Sequence, residues 1–332
     1  MSMSQGAAGL SRRRFLAISA AAAGLAAVPL AARASVPVRR WQGIALGAAA
    51  EIRLAHQDKA AAERIFARVE REIRRLESIF SLYRPESALS RLNQDGRLDA
   101  PPLDLVELLT LCHRLHGVTG GAFDPSVQPL WQAYAEGFAA SEKGPEEAAI
   151  KAARSMLGFD AVASGTDQIR FPRAGMALTL NGIAQGFVTD RVSVLLESEG
   201  MTDVLADLGE IRATGSDGGG DGWRVTLDPE RSGSATGKLG LRNRAVASSA
   251  CLGTTFDAAG RVGHILDPRS GLPARAELAA ASVIAENAAL ADGLSTAALV
   301  CGRDALAGVL KAFPSVSARL IDMSGKVEWL RG

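Results

Sequence analysis

The chain has 332 residues, 37 Lys plus Arg against 36 Asp plus Glu, a formal net charge of +1 and 47% hydrophobic residues. That length can bury a large core in one domain or two. Charge this balanced, with no basic block, gives no support to nucleic-acid binding, and Cys112, Cys251 and Cys301 form neither a disulfide framework nor a zinc spacing.

The first residues read as an export signal. Ser11-Arg12-Arg13-Arg14-Phe15-Leu16 precedes an alanine-rich apolar run over 17–32, and Ala32-Arg33-Ala34 has the small-x-small form of a cleavage site. Paired arginines before a mild apolar stretch indicate the twin-arginine route. The expectation is a periplasmic protein with a signal over 1–34 and a folded part over 35–332. A membrane anchor is the rival reading, but the run is short and Ala/Gly-rich for a stable span. Left uncleaved, it would be an inner-membrane tether.

Residues 36–54 alternate and predict one or two strands. Over 58–79, Ala62, Ile65, Phe66, Val69, Ile73 and Leu76 recur at helical spacing among charges, an amphipathic helix. Residues 80–93 are a polar connection into a short helix. Residues 103–118 form a second helix, stopped by Gly120-Gly121. It carries His113 and His116 in an apolar pattern, and Cys112, which like Cys301 reads as a buried thiol. Asp124-Pro125 opens a segment reaching Trp131, and 139–164 reads as helix or partly loop. A hairpin is predicted from 168–173 and 176–180, then a helix over 186–199. Strands are predicted over 203–208, 223–227, 239–248 and 254–265, with a glycine-rich loop at 215–222. A helix over 290–301, another near 305–313, and strands near 318–321 and 327–330 close the chain. Helices and antiparallel-looking strands come in blocks, which predicts an α+β fold with mixed or antiparallel sheets, as one large domain or two closely packed subdomains. No G-x-G-x-x-G joins a strand to a helix, so that dinucleotide fingerprint is absent.

Five segments offer chemistry. His264 follows a strand-like run and is closed off by Asp267-Pro268 and Ser270-Gly271, turn signals that hold a titratable ring in place; a histidine bonded inside a turn is the plain alternative. Leu180-Asn181-Gly182-Ile183-Ala184-Gln185-Gly186-Phe187 leads through small residues into a helix start, where backbone approaches a ligand closely and N–H groups face an anion. It also reads as a tight turn serving packing alone. In Ala291-Asp292-Gly293-Leu294-Ser295-Thr296, Asp292 and Thr296 are four apart and share one helix face. Their oxygens suit a hard cation such as magnesium, though taken alone the segment reads more readily as an N-cap aspartate with an exposed threonine. Gly121-Ala122-Phe123-Asp124 and Phe80-Ser81-Leu82-Tyr83 set scarce aromatics beside turn residues, where a flat ring can stack.

In this order the segments resemble the ApbE family, the FAD:protein FMN transferases. The matching pieces are Phe80-Ser81-Leu82-Tyr83 with Ser87 and Asn93, Gly121-Ala122-Phe123-Asp124, Leu180 through Phe187 with Asp190, and Asp207-Leu208-Gly209. The series ends with His264-Ile265-Leu266-Asp267-Pro268-Arg269-Ser270-Gly271 and Ala291-Asp292-Gly293-Leu294-Ser295-Thr296. The resemblance spans nearly all of 35–332 and implies an ApbE-like fold. It also implies an enzyme that splits FAD at its pyrophosphate, joins FMN to a Thr or Ser of a target protein and releases AMP. Magnesium would be held by the Gly182 carbonyl, Asp292 and Thr296, with Ser295 close by. His264 would lie at the pyrophosphate as base or charge stabiliser, so His264 and Asp292 are the expected catalytic pair. Leu46, Ser81, Tyr83, Ala122, Phe123, Asp124, Thr179, Gln185, His264 and Ile265 are the expected FAD contacts.

Thr179 and Gln185 depart from the commoner family pattern, which has Asp at the first position and Lys or Glu at the second. The Asn-Gly-Ile-Ala-Gln-Gly form together with the export signal resembles the NosX branch. That implies as acceptor a membrane-associated respiratory flavoprotein, the regulator of nitrous-oxide reduction. A periplasmic flavin carrier without transfer activity and a non-catalytic assembly factor for a respiratory enzyme are the rival functions. The sequence carries no strong signal for a homo-oligomer.

Overall fold

The computed structural model describes residues 37–56, 58–217, 222–229, 236–274 and 277–332. The export signal expected over 1–34 and residues 218–221 of the glycine-rich loop lie outside the described residues. The chain starts with β1 (Val38–Ala45) and β2 (Ala48–Ala55), a hairpin whose turn sets Leu46 at φ 47° and Gly47 at φ 83°. α1 (Lys59–Phe80) begins at Asp58, whose carboxylate accepts the N–H groups of Ala60 and Ala61. It buries Ala62, Ile65, Phe66, Val69, Ile73 and Leu76, the stripe its spacing predicts, together with Ile79 and Phe80. α2 (Ala88–Asp95) is capped by the Ser87 hydroxyl and ends on Gly96 in the left-handed conformation. β3 (Arg97–Asp99), α3 (Leu103–Val118), α4 (Gln128–Ala140), α5 (Glu147–Ser155), β4 (Ala163–Ser164) and β5 (Gln168–Arg170) follow. Then come α6 (Ala184–Ser198), β6 (Val204–Asp207), β7 (Ile211–Thr214), β8 (Trp223–Leu227), β9 (Gly237–Leu241) and β10 (Arg244–Ala250). β11 (Leu266–Asp267), β12 (Leu272–Pro273), β13 (Leu278–Ala285), α7 (Ala288–Leu310), β14 (Ser317–Asp322) and β15 (Val327–Arg331) complete the chain.

Eight strands form one sheet in the order β1-β2-β6-β7-β10-β13-β14-β15, and every neighbouring pair is antiparallel. Strand periodicity divides the sheet's side chains between two faces. Ile52, Leu54, Ala206, Ala247, Val283 and Leu320 join the main core with α1, α6 and α7. Leu205, Ala213 and Val246 point the other way, beneath Trp223, Val225, Leu227 and Leu241 of the β8–β9 hairpin. α4 and α5 form a third cluster, in which Leu130, Tyr134, Ala153 and Leu157 hold Leu266. From Val36 onward the chain is one compact unit.

The start of α7 is built against α6. A Cβ on Gly186 would sit 2.3 Å from the Ala288 carbonyl oxygen, so only glycine allows this approach. The Asp190 carboxylate of α6 accepts the N–H groups of Ala288 (2.8 Å) and Ala289 (2.9 Å), and the Asn287 side chain accepts that of Leu290 (2.9 Å). Arg212 of β7 pairs with Asp190 at 2.7 Å. Burial pushes the Asp190 carboxyl up, and these hydrogen bonds and the guanidinium pull against it. α7 is long and apolar enough to cross a membrane, yet Ala288–Leu299 is mostly buried against β10 and β13, which accounts for its composition as that of a core helix.

Three sequence expectations are corrected, and one strand has no counterpart among them. The predicted hairpin of 168–173 and 176–180 does not form: β5 ends at Arg170 and pairs with β3 and β4. Pro172 and Gly175 interrupt the run, and Leu178 instead bonds the Asn93 side-chain amide in both directions, at 2.7 and 2.8 Å. The strand expected over 239–248 is two strands, β9 and β10, split by a turn with Asn243 at φ 51°. Residues 254–265 form a loop with one isolated bridge, Thr255 to Gly263, closed by the Asp257 carboxylate accepting the N–H groups of Arg261 and Val262. β13 has no predicted counterpart, because Leu278–Ala285 is buried almost throughout and shows no alternation. The two helices expected over 290–301 and near 305–313 are the two parts of α7, which breaks at Gly302 with φ 76° and ψ 178°.

Gly186→Ala is expected to lower the unfolding free energy by about 1–3 kcal/mol, the usual cost of overpacking. The measurement is the shift of the urea midpoint at constant m-value; an unchanged midpoint would show that the α6–α7 joint has room the structure does not give it.

Candidate active site

The stretch between Thr179 and Gly186 passes over the face of α7 that carries Asp292, Ser295 and Thr296. The Asn93 amide and the Pro125 carbonyl, which accepts the Thr179 N–H at 2.8 Å, fix the entry to this turn. Inside it, a Cβ on Gly182 would lie 2.9 Å from Thr296 Oγ1, so the Gly182 backbone lies directly against that hydroxyl. At its end the Gly186 N–H donates to Asp292 Oδ2 at 3.1 Å. Asp292 is not the N-cap of its helix: that role belongs to Asn287, and Asp292 lies inside α7 at 4% exposure. Its carboxylate and the Thr296 hydroxyl share a helix face and meet the same turn.

This donor set is all oxygen. Among the described residues no three His, Cys, Asp or Glu side chains gather as metal ligands; of the groups that meet at this turn, Asp292 is the carboxylate, with hydroxyl and backbone oxygens beside it. Few protein ligands, with water and phosphate supplying the rest, is the pattern magnesium accepts. Cys112 lies nearby, fully buried, and burial together with the Asp292 charge pushes its thiol well above the ordinary range. It stays protonated and offers no competing soft ligand. The residues therefore fit magnesium.

His264 stands on the loop that follows β10. Its Nδ1 is 2.9 Å from the Thr254 carbonyl, and its backbone N–H donates to the same oxygen. A carbonyl only accepts, so Nδ1 carries the proton and Nε2 keeps its lone pair. Burial lowers the pKa of the ring, opposed by the Thr254 bond. The ring is therefore a neutral imidazole near pH 7, the form that accepts a proton. The loop is anchored on α4 and α5: Phe256 sits against Trp131, Tyr134 and Phe138, the Tyr134 hydroxyl donates to the Gly271 carbonyl at 3.1 Å, and Arg154 donates to the Arg269 carbonyl.

The expected flavin contacts fall into groups. Leu46, Ser81 and Tyr83 lie around the end of α1: the Leu46 N–H donates to Glu77 Oε1, the Ser81 N–H to the Glu77 carbonyl, and Arg84 pairs with Glu77. Tyr83 is 83% exposed, a ring free to cover a ligand. Phe80 meets Phe187 edge-on at 5.5 Å and ties this group to the start of α6. Ala122 and Phe123 are buried, and Phe123 belongs to the core, so that segment presents backbone more than ring. Asp124 caps the next turn through Ser126, and burial raises its pKa against those bonds. His116 donates to the Phe123 carbonyl and His113 stacks on Phe159, which makes both supports of this segment. Gln185 lies against Gly209, where a Cβ would sit 2.8 Å from its side chain. Ile265 accepts the Ala274 N–H beside the His264 turn.

One residue of the site escaped the sequence reading. The strand predicted over 239–248 stops one position short of Ser249, whose hydroxyl is 2.8 Å from Ser295 Oγ and 3.4 Å from Thr296 Oγ1. Ala247 packs into the helix-side core, and the period of two gives the same face to Ser249. Taken to its true end, the strand would have pointed to it.

Fold and site together define an antiparallel α+β protein that sets an oxygen-lined cation cradle under a glycine turn, with a neutral imidazole on the loop after β10. The chain belongs to the ApbE family, which matches residues 46–320. It is 30% identical over 260 residues to the FAD:protein FMN transferase of Haemophilus influenzae, covering 74% of this chain and 75% of that protein. It is 29% identical over 283 residues to the protein of the same description from Treponema pallidum, covering 79% and 77%. The flavinyl transferase ApbE of Pseudomonas stutzeri, in its apo form, superposes with a TM-score of 0.76 at 26% identity, over 89% of this chain and 96% of that one. The flavin transferase ApbE of Vibrio cholerae shares the fold, with a TM-score of 0.77 at 23% identity over 89% and 98%.

Asp292→Ala is expected to remove magnesium-dependent turnover. It also leaves the buried Gly186 N–H without its acceptor, at a cost of about 1–3 kcal/mol. Asp292→Asn keeps an acceptor oxygen, so it should retain most of the stability while losing turnover. Urea unfolding run beside AMP release at millimolar magnesium separates the two effects, and an active Asp292→Asn enzyme would remove this carboxylate from the metal site.

Proposed function

We propose that the protein is a magnesium-dependent FAD:protein FMN transferase, moving FMN from FAD to a Thr or Ser hydroxyl of an acceptor protein and releasing AMP. Family membership, the names of its relatives and the site geometry support this reading. The observation that carries it is the tautomer of His264, whose Nδ1–H is held by the Thr254 carbonyl so that Nε2 is left as a base.

In the proposed reaction the acceptor hydroxyl attacks the phosphorus on the FMN side of the pyrophosphate. A P–O bond to the acceptor forms, the bond to the bridging oxygen breaks, and AMP departs with that oxygen. His264 Nε2 takes the hydroxyl proton. Asp292, Thr296 and the Gly182 carbonyl would hold magnesium, which when bound neutralises the pyrophosphate and stabilises the leaving oxygen. Such a transfer asks the protein for position and charge compensation more than covalent chemistry. The rigid entry to the glycine turn and the anchored His264 loop supply the positioning.

We extend the proposal to acceptor and place: a membrane-associated respiratory flavoprotein, the regulator of nitrous-oxide reduction, reached in the periplasm by twin-arginine export. The sequence Asn181-Gly182-Ile183-Ala184-Gln185-Gly186 and the arginine-led apolar run over 12–34 support it. Co-expression with that acceptor, followed by mass spectrometry, should show added FMN. FAD binding with no AMP release and no adduct would favour the carrier reading.

His264→Ala is expected to slow transfer by about 100-fold or more, the range of general-base catalysis, with FAD affinity changed by less than about threefold. Equal losses in both would make His264 a binding residue only. The acid side of the rate profile carries the sign. Burial lowers the ring's pKa below its ordinary 6.5, so the base stays neutral at 7 and transfer falls only as pH drops through that lowered value. The limb should vanish in His264→Ala.

A further inference from the structure

Ser249, Ser295 and Thr296 form a chain of hydroxyls whose proton directions are fixed by counting. Ser295 Oγ lies 3.0 Å from the Asp292 backbone carbonyl and donates to it, because a carbonyl has no proton to give. A serine hydroxyl has one proton, so at the 2.8 Å contact Ser295 Oγ must accept from Ser249. Ser249 has then used its own proton, and at 3.4 Å it must accept from Thr296 Oγ1. The order is Thr296 to Ser249 to Ser295 to the Asp292 carbonyl. Ser295 is fully buried, Ser249 half-buried on β10, and no other hydrogen-bond partner of their hydroxyls is seen among the described residues.

We propose that this relay makes Thr296 a lone-pair donor: its proton is committed toward Ser249, and its lone pairs are held toward the Gly182 turn. A hydroxyl that ligates a cation must send its proton elsewhere, whereas one that binds a phosphate oxygen directly must give its proton to that oxygen. The relay selects the first role and disfavours the second. Ser249 and Ser295 are therefore positioning residues for a divalent cation. Ser295, although a candidate ligand by sequence, acts through Ser249, since its proton is bound to backbone and its oxygen receives the Ser249 proton. Partners that orient a ligand in this way are commonly worth 10- to 100-fold in metal affinity.

This inference rests on the proposed transfer site, and its test separates the two. The readout is the magnesium concentration giving half of the metal-induced rise in melting temperature at saturating FAD, alongside FAD affinity measured with EDTA present. In Ser249→Ala the magnesium half-point should rise about tenfold while metal-free FAD affinity stays within about twofold. Ser249→Thr, which restores a hydroxyl, should recover most of the loss, and Ser295→Ala should reproduce it from the other end of the relay. Should Ser249→Ala lower the metal-free melting temperature, the Thr and Ser295 variants decide the matter on the same readout. A wild type that responds to magnesium with Ser249→Ala and Ser295→Ala responding identically overturns the relay and leaves the transfer reading standing. A wild type that shows no response to magnesium overturns both. A fall in metal-free FAD affinity as large as the magnesium effect would mean that Ser249 serves the nucleotide instead.

Discussion

The site depends on the close approach of α6 and α7 at their N-terminal ends. Gly186 sets the distance, because any Cβ would meet the Ala288 carbonyl. Two carboxylates then bridge the joint in opposite directions. Asp190 reaches from α6 to the free N–H groups of Ala288 and Ala289, and Asp292 reaches from α7 to the N–H of Gly186. Each satisfies helix-end donors that would otherwise be buried without partners, and the positive ends of both helices favour the negative charge there. Asp190 stays structural, since its oxygens are taken up by two amides and Arg212. Asp292 does two things at once. It closes the joint, and it brings a carboxylate to the turn where Gly182 meets Thr296.

A site with one carboxylate is poorly equipped to hold a divalent cation alone, and that suits a protein whose substrate would carry a pyrophosphate. Adding acids would strengthen metal binding without substrate and repel the diphosphate. Hydroxyl and backbone oxygens are neutral ligands, and the protonated Cys112 beneath them adds no charge. The neutral His264 continues the same economy of charge: a ring held neutral by burial is ready to receive a proton, and an imidazolium in its place would bind the phosphates but have no lone pair left for catalysis.

Much of this was legible in the residues. The stripe of α1, the glycine turn into a helix and the Asp292–Thr296 spacing on one helix face came from local patterns that the structure bears out, whereas the strands expected before the glycine turn and before His264 are not formed. Less visible were features set by tertiary contact. The cap reading of Asp292 gives way because Asn287 occupies that position. The segment holding Leu178 reads as a strand because apolar Met176, Leu178 and Leu180 alternate with smaller residues, yet the partner of Leu178 is the Asn93 side chain, 85 residues earlier. β13 was hidden because a strand buried on both faces loses the alternation that betrays a half-exposed one. Ser249 lay one residue beyond a predicted strand end, where boundaries are least determined by local sequence.

The two departures from the family pattern acquire a physical setting. The Thr179 hydroxyl accepts the Asn181 N–H at 3.3 Å and its backbone N–H is held by Pro125, so it shapes the entry of the glycine turn without contributing charge. Gln185 lies flat on Gly209, in a stretch that already holds Asp207 and Glu210. A glutamate at 185 would set an acid against Gly209, and a lysine would set a cation there. The neutral amide does neither. It leaves Asp207 and Glu210 to their own partners, with Glu210 accepting the Ser248 N–H on β10 at 3.1 Å. That bond fixes the backbone of β10 immediately before Ser249, the residue through which Thr296 is oriented.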